Sequence, residues 1–211
     1  MKNIKNFVWD FDGTLFDTYP LIVDILRKTL QEYGLDCDPV EARQLLTVNL
    51  AYTRDHYADK FGIDREEMRK TMSPIWNREF ARLKSQPMEA IPQVLEKIAA
   101  LGKRSYIFTN RRCDETMDHM KKYGIDIYVQ DIMGQETPGF VYKPAPDALI
   151  CLIEKNGLNP EETVMIGDRL CDLESGRGAG TKTMHIVCAD APEELPCDWR
   201  ITHYQQMLEL L

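Results

Sequence analysis

Residues Phe7–Thr18 read FVWDFDGTLFDT: a short apolar run ends on two carboxylates, Asp10 and Asp12, with a Gly-Thr turn directly behind them. Taking an unpaired carboxylate out of water costs several kcal/mol, so a buried strand ending this way implies either a partner charge or a chemical use. Working outward, residues 5–10 form the predicted first strand. From Pro20 to about Lys84 every convincing segment is helical. Ile22, Ile25, Leu26 and Leu30 share one face of a helix that stops at Gly34. Asp64 has the character of an N-cap, and Pro74 predicts a kink or break in the helix it opens. After Pro87 the texture changes to helices alternating with short apolar strands: helices near 93–101, 114–123, 146–156 and 170–180, and strands at RSYIFTN, 127–133, TVMIGD and KTMHIV. This pattern predicts an α/β fold with a parallel sheet covered on both faces. The helical stretch after the first strand is too long for a simple crossover and reads as an inserted α-helical cap. The expected division is a core of residues 1–16 and 87–211 and a cap of residues 17–86.

The chain has 211 residues, 44% of them hydrophobic and 28% charged, and a formal net charge of -8. That length can bury a substantial core. The acidic balance argues against a broad nucleic-acid footprint or an anionic membrane surface as partner, while leaving room for a local cationic pocket that takes a small anion. The opening MKNIKNFVWD is too short in apolar residues for a signal peptide, and no stretch is long enough to span a bilayer. The six cysteines (Cys37, Cys113, Cys151, Cys171, Cys188 and Cys197) form no CxxC pair or zinc spacing. They are expected to be free thiols in a reducing cytoplasm.

In an open parallel sheet, ligands bind beyond the carboxyl ends of the strands. Here those ends carry Asp10, Thr109–Asn110 and Gly167–Asp168, with Lys143 in a loop on the same side if the connections are right-handed. Asp10, Asp12, Asp168 and Asp172 would then crowd together. Two such charges about 4 Å apart repel by roughly 1 kcal/mol in water and about 4 kcal/mol at an effective dielectric near 20. One lysine cannot neutralise them, and an all-oxygen ligand set without His or Cys points to Mg²⁺. Thr109, Asn110 and Lys143, together with backbone amides of residues 11–14, are donors suited to a phosphoryl group. A carboxylate at Asp10 can attack phosphorus, and Asp12, two residues on, can carry a proton.

Taken together these residues resemble the four motifs of the haloacid dehalogenase-like (HAD) hydrolases. DFDGTLFDT is similar to motif one, IFTN (Ile107–Asn110) to motif two, Lys143-Pro144 to motif three and GDRLCD (Gly167–Asp172) to motif four. The resemblance runs from about residue 4 to residue 187. It implies a Rossmann-like core with a helical cap after motif one, as in the phosphoglycolate phosphatase and β-phosphoglucomutase branch. By position it implies Asp10 as nucleophile and metal ligand, and Asp12 as acid/base with its carbonyl on Mg²⁺. Thr109, Asn110 and Lys143 would hold phosphate, Asp168 would ligate Mg²⁺, and Asp172 would act in support. The acid at Asp12 favours phosphomonoesters over carbon–halogen bonds. The implied activity is hydrolysis of a small phosphorylated metabolite, such as a sugar phosphate or phospho-acid, through an aspartyl-phosphate. The alternatives are a phosphomutase, or a phospho-accepting or phosphate-binding regulatory module.

Three departures from the pattern bear on the substrate. RRCDE after motif two brings Arg111 and Arg112 near the pocket as candidate substrate contacts, with Arg54 a third in the cap. AIPQ replaces the usual Pro-Gly before the helix near residue 93. LLTVNLAYTRDHY lacks the glycine often found where a cap approaches substrate. Arg169 reads as a structural partner of a nearby acid. His56, His119, His185 and His203 read as surface or packing residues, and Trp9 and Phe11 as core.

Overall fold

The computed structural model describes residues 1–187 and 194–211. The chain divides into two compact units, one formed by Met1–Asp17 with Pro87–Leu211 and the other by Thr18–Gln86.

The first unit is built on β1 (Asn6–Trp9), and the chain leaves it through the two-residue strand β2 (Phe16–Asp17). It re-enters at β3 (Gln86–Pro87). A sheet of parallel strands is then completed by β4 (Arg104–Phe108), β5 (Val129–Met133), β6 (Thr163–Gly167), β7 (Lys182–Ile186) and β8 (Trp199–Ile201). The strand order is β5-β4-β1-β6-β7-β8, so β1 lies between β4 and β6 and the order reverses about it. Trp9 is in register with Ile107 on one side and Ile166 on the other. The next residues, Asp10, Phe108 and Gly167, therefore emerge side by side at the carboxyl edge.

Side chains alternate across a strand, and here both faces are apolar. Phe7, Trp9, Ile107, Val164 and Ile166 join one core cluster, while Val8, Tyr106, Phe108 and Met165 join another. The helices that cover them are α5 (Ile91–Ala100), α6 (Cys113–Lys122), α7 (Asp147–Lys155), α8 (Leu170–Gly178) and α9 (Tyr204–Leu210), following α1–α4 of the other unit. α5 and α9 give Ile91, Val94, Leu95, Ile98 and Met207 to the first cluster, and α7 gives Leu149, Leu152 and Ile153 to the second. This is the parallel sheet with both faces covered that the apolar runs predict. Trp9 and Phe11 are fully buried in it.

The second unit consists of α1 (Tyr19–Gln31), α2 (Pro39–Leu46), α3 (Leu50–Phe61) and α4 (Arg65–Phe80). α1 packs on α4, and α3 packs on both α2 and α4. Asp38, Asn49 and Asp64 each accept a backbone N–H at the start of a helix. Pro74 lies inside α4, which continues through it to Phe80. Of the expected kink or break, the break is absent.

No helix among the described residues is long and apolar enough to cross a membrane. Cys37, Cys113, Cys151, Cys171 and Cys197 are free thiols, and Cys188 lies outside the described residues. β8 and α9 are additions to the sequence reading. Ala90 adopts the left-handed conformation (φ 63°) just before α5.

Candidate active site

β1 hands directly to a tight turn. The Asp10 amide extends the ladder by donating to the Ile166 carbonyl at 2.8 Å, and the Phe11 carbonyl then accepts from Leu15 and Phe16, both at 3.0 Å. Gly13 sits at φ 78°, a conformation open to glycine without a Cβ clash. Tyr204 of α9 donates its hydroxyl to the Thr14 carbonyl, and Thr14 Oγ1 donates to Asp168 Oδ1 at 3.1 Å. The turn is thus tied to β6's end. On that strand, a Cβ added at Gly167 would lie 2.3 Å from that of Asp172, so glycine lets the first turn of α8 fold back onto the strand end.

Carboxylate oxygens of Asp10, Asp168 and Asp172 lie within 4.8 Å of one another, and all three residues are buried. Lys143 Nζ reaches into the group, 2.5 Å from Asp10 Oδ1, 2.7 Å from Asp172 Oδ1 and 3.0 Å from the Phe108 carbonyl. Arg169 stands 3.5 Å from Asp10 Oδ2 and 3.8 Å from Asp172 Oδ2. Asp172 Oδ2 also accepts the Arg169 amide at 3.1 Å, capping α8.

Asp10 and Asp172 share Lys143 and Arg169, and the carboxylate of Asp168 lies beside them, so negative charge is crowded here. Burial, and next the charge of Asp172, push the Asp10 carboxyl up to about 7 against the pull of Lys143 and Arg169. Burial alone would lower the ammonium of Lys143, but Asp10 and Asp172 outweigh it and raise it above the ordinary lysine value. Asp10 Oδ2 is buried without a hydrogen-bond donor. A cluster of carboxylate oxygens with one unsatisfied acceptor fits a hard divalent cation such as Mg²⁺, which Asp10, Asp168 and Asp172 can hold.

The other expected site residues fall around this cluster. Thr109 is buried and its Oγ1 accepts the Arg111 amide at 3.1 Å. Asn110 Oδ1 accepts the Lys143 amide at 2.9 Å, bracing the lysine loop against the end of β4. The Asp12 carboxylate is held by Arg111 (Nη2–Oδ1 2.5 Å, Nε–Oδ2 3.2 Å).

The arginines flagged for substrate contact part ways. Arg111 is inside; Arg112 is half exposed and paired with Asp114 at 2.7 Å and Glu136 at 2.8 Å. Arg54, in the helical unit, is 2.6 Å from Asp55. His119 and His185 are buried, and His203 is exposed. His119 packs edge-on against Phe11 and Phe16. His185 Nε2 lies 3.2 Å from the Asp168 carbonyl. The Arg111–Asp12 pairing, 99 residues apart in the chain, escaped sequence reasoning; the RR after motif two was its only trace.

The haloacid dehalogenase-like hydrolase family model matches residues 7–186. The chain belongs to this family. Its fold is the family's α/β Rossmann-like core with an inserted helical cap. It is 29% identical to the N-acetylmuramic acid 6-phosphate phosphatase of Pseudomonas aeruginosa, over 99% of this chain and 95% of that one. It is 26% identical to the phosphoglycolate phosphatase of Aquifex aeolicus, over 85% and 83%. The crystal structure of a predicted phosphoglycolate phosphatase from Haemophilus somnus superposes with a TM-score of 0.85, covering 100% of this chain and 99% of that one at 17% identity, which bears on the fold. The family match and the aspartate cluster together support a hydrolase of the phosphatase kind.

Proposed function

We propose that this HAD hydrolase is a Mg²⁺-dependent phosphatase that cleaves a small phosphomonoester through an aspartyl-phosphate on Asp10. One observation carries the reading: Asp10, fully buried at the end of the central strand, shares Lys143 and Arg169 with Asp172, has Asp168 beside it, and keeps one oxygen without a hydrogen-bond donor. Such an arrangement is costly for stability alone and suits a nucleophile awaiting a metal and a phosphoryl group.

In this reading Asp10, Asp168 and the Asp12 carbonyl would hold Mg²⁺, with Asp172 in support. The bound metal supplies positive charge that offsets the carboxylates and the phosphoryl oxygens. Lys143, Thr109 and Asn110 hold the phosphoryl group, since phosphoryl transfer depends mostly on positioning and charge stabilisation. A carboxylate oxygen of Asp10 forms a bond to phosphorus as the ester P–O bond breaks, and Asp12 gives its proton to the departing oxygen. Water then attacks phosphorus, its proton passes to Asp12, and phosphate leaves with the Asp10 carboxylate restored.

For substrate class, the relatives' names include N-acetylmuramic acid 6-phosphate and phosphoglycolate, and Listeria innocua contributes a pyrophosphatase at 27% identity. These favour a small anionic phosphate ester, a sugar phosphate or a phospho-acid, as substrate here.

Purified protein with Mg²⁺ should release phosphate from p-nitrophenyl phosphate. EDTA should suppress the release, and Asp10→Asn should abolish it while leaving the circular dichroism spectrum unchanged. Activity that survives in Asp10→Asn would end the nucleophile assignment. A panel of phosphorylated metabolites then ranks substrates by kcat/KM.

A further inference from the structure

We infer that Arg111 is the positioning residue of Asp12: its guanidinium fixes the heading of the carboxylate that moves protons. The inference rests on the proton-carrying role of Asp12 proposed above.

Three features of the geometry carry it. First, the contact is two-pointed. Nη2 meets one carboxylate oxygen at 2.5 Å and Nε meets the other at 3.2 Å. A neutralising charge alone would need one contact, which lysine also gives; a planar fork on both oxygens sets the plane of the carboxylate as well. Second, the fork is itself held. Its remaining terminal nitrogen lies 3.5 Å from Glu115 Oε2, its carbon stands 5.6 Å from the centre of the Phe11 ring, and its own amide is bonded to Thr109 Oγ1. Third, exposure is uneven: the Arg111 side chain is 3% exposed and that of Asp12 16%. The clamp is therefore packed away while the carboxylate stays within reach of solvent and of a bound ester.

Asp12 sits on a turn just past the end of its strand, where a short side chain has freedom to rotate. Proton transfer requires a donor within hydrogen-bond reach of the leaving oxygen and, in the second half, an acceptor aimed at the incoming water. Arg111 leaves β4's end one residue after Thr109–Asn110, so it ties the orientation of Asp12 to the strand that carries the phosphate-binding donors.

The test is a double-mutant cycle with Mg²⁺, measured as phosphate release from an alkyl phosphomonoester and from p-nitrophenyl phosphate, at enzyme concentrations high enough to follow slow variants. Arg111→Ala should lower kcat on the alkyl ester by about tenfold or more, with the roughly 10²–10⁴-fold that a general acid–base group contributes as the upper bound. The loss on p-nitrophenyl phosphate should be smaller, because that leaving group departs without a proton. Arg111→Lys should recover part of the loss, and adding Arg111→Ala to Asp12→Asn should cause no further loss. Thermal melts identify variants that fail to fold; should the alanine variant do so, the lysine variant takes its place in the cycle.

An equal loss on both esters, an undiminished loss in the Asp12→Asn background, or a gain in rate overturns the inference. The second of these outcomes would assign Arg111 to direct substrate contact or to stability. A wild-type protein inert toward both esters and the wider panel overturns the phosphatase reading, and this inference with it.

Discussion

Each unit of the molecule buries a carboxylate, and the two treat it in opposite ways. In the helical unit, Glu79 is 1% exposed and ringed by Arg82 at 2.8 Å, Lys28 and Arg78 at 3.2 Å, and Lys84 at 3.6 Å. Burial works to raise its carboxyl, but Lys28, Arg78 and Arg82 prevail and hold it down at about 2. In the α/β unit, Asp10 is likewise closed to solvent, shares Lys143 and Arg169 with Asp172, and is pushed up to about 7. A carboxylate with a surplus of cations is doing structural duty. One left short of them is poised for a ligand that brings positive charge.

Exchanging the two effects is the sharpest way to break this contrast. Asp10→Asn should lower phosphatase activity on the order of 10⁴-fold or more. Because it removes a like-charge repulsion, its metal-free Tm should stay level or rise. Glu79→Gln should lower Tm, by leaving its cations facing one another, while kcat per folded molecule stays near wild type. A metal-free Asp10→Asn protein that melts well below wild type would erase the distinction.

Metal supply is the next largest effect. Mg²⁺ at about 100 times its dissociation constant should add about 2.7 kcal/mol to the unfolding free energy by mass action. Asp168→Asn should remove most of that gain, and Glu79→Gln none of it, in melts with and without EDTA.

Acid should reveal a smaller term. Burial holds His119 and His185 below the ordinary imidazole value of 6.5. A depressed histidine is neutral in the fold and takes up its proton more readily on unfolding. Stability is therefore full above pH 6.5 and falls as pH drops below it, by up to about 1.4 kcal/mol per pH unit for each group. Urea melts of His119→Gln should lack its share of that slope.

The smallest effect is expected at Ala90. Its left-handed backbone (φ 63°) disfavours any residue with a Cβ. Ala90→Gly should raise stability by about 0.5–1 kcal/mol, read from the denaturation midpoint.

The contrast between units follows what the sequence made legible. Continuous apolar strands ending in Asp10, Thr109–Asn110 and Asp168 are a local pattern, and once the strands lie parallel their ends must gather. The edge strand β8 has only Trp199, Arg200 and Ile201, too few to show a period, and α9 is seven residues long. Pro74 signalled a kink or a break, and α4 does not break there. Ala90 gave no cue, because alanine is not a residue associated with a left-handed turn. The ring around Glu79 and the fork on Asp12 are tertiary pairings of ordinary charged residues, which no spacing announces.

The hydroxyl of Tyr204 on the carbonyl of Thr14 spans 190 positions of the chain. At about 5–20 residues per second of synthesis, roughly 10–40 s separate the appearance of its two ends. The loop bearing Asp10 and Asp12 is thus made well before the residue that fastens it, and a nascent chain halted before Tyr204 carries that loop without this bond.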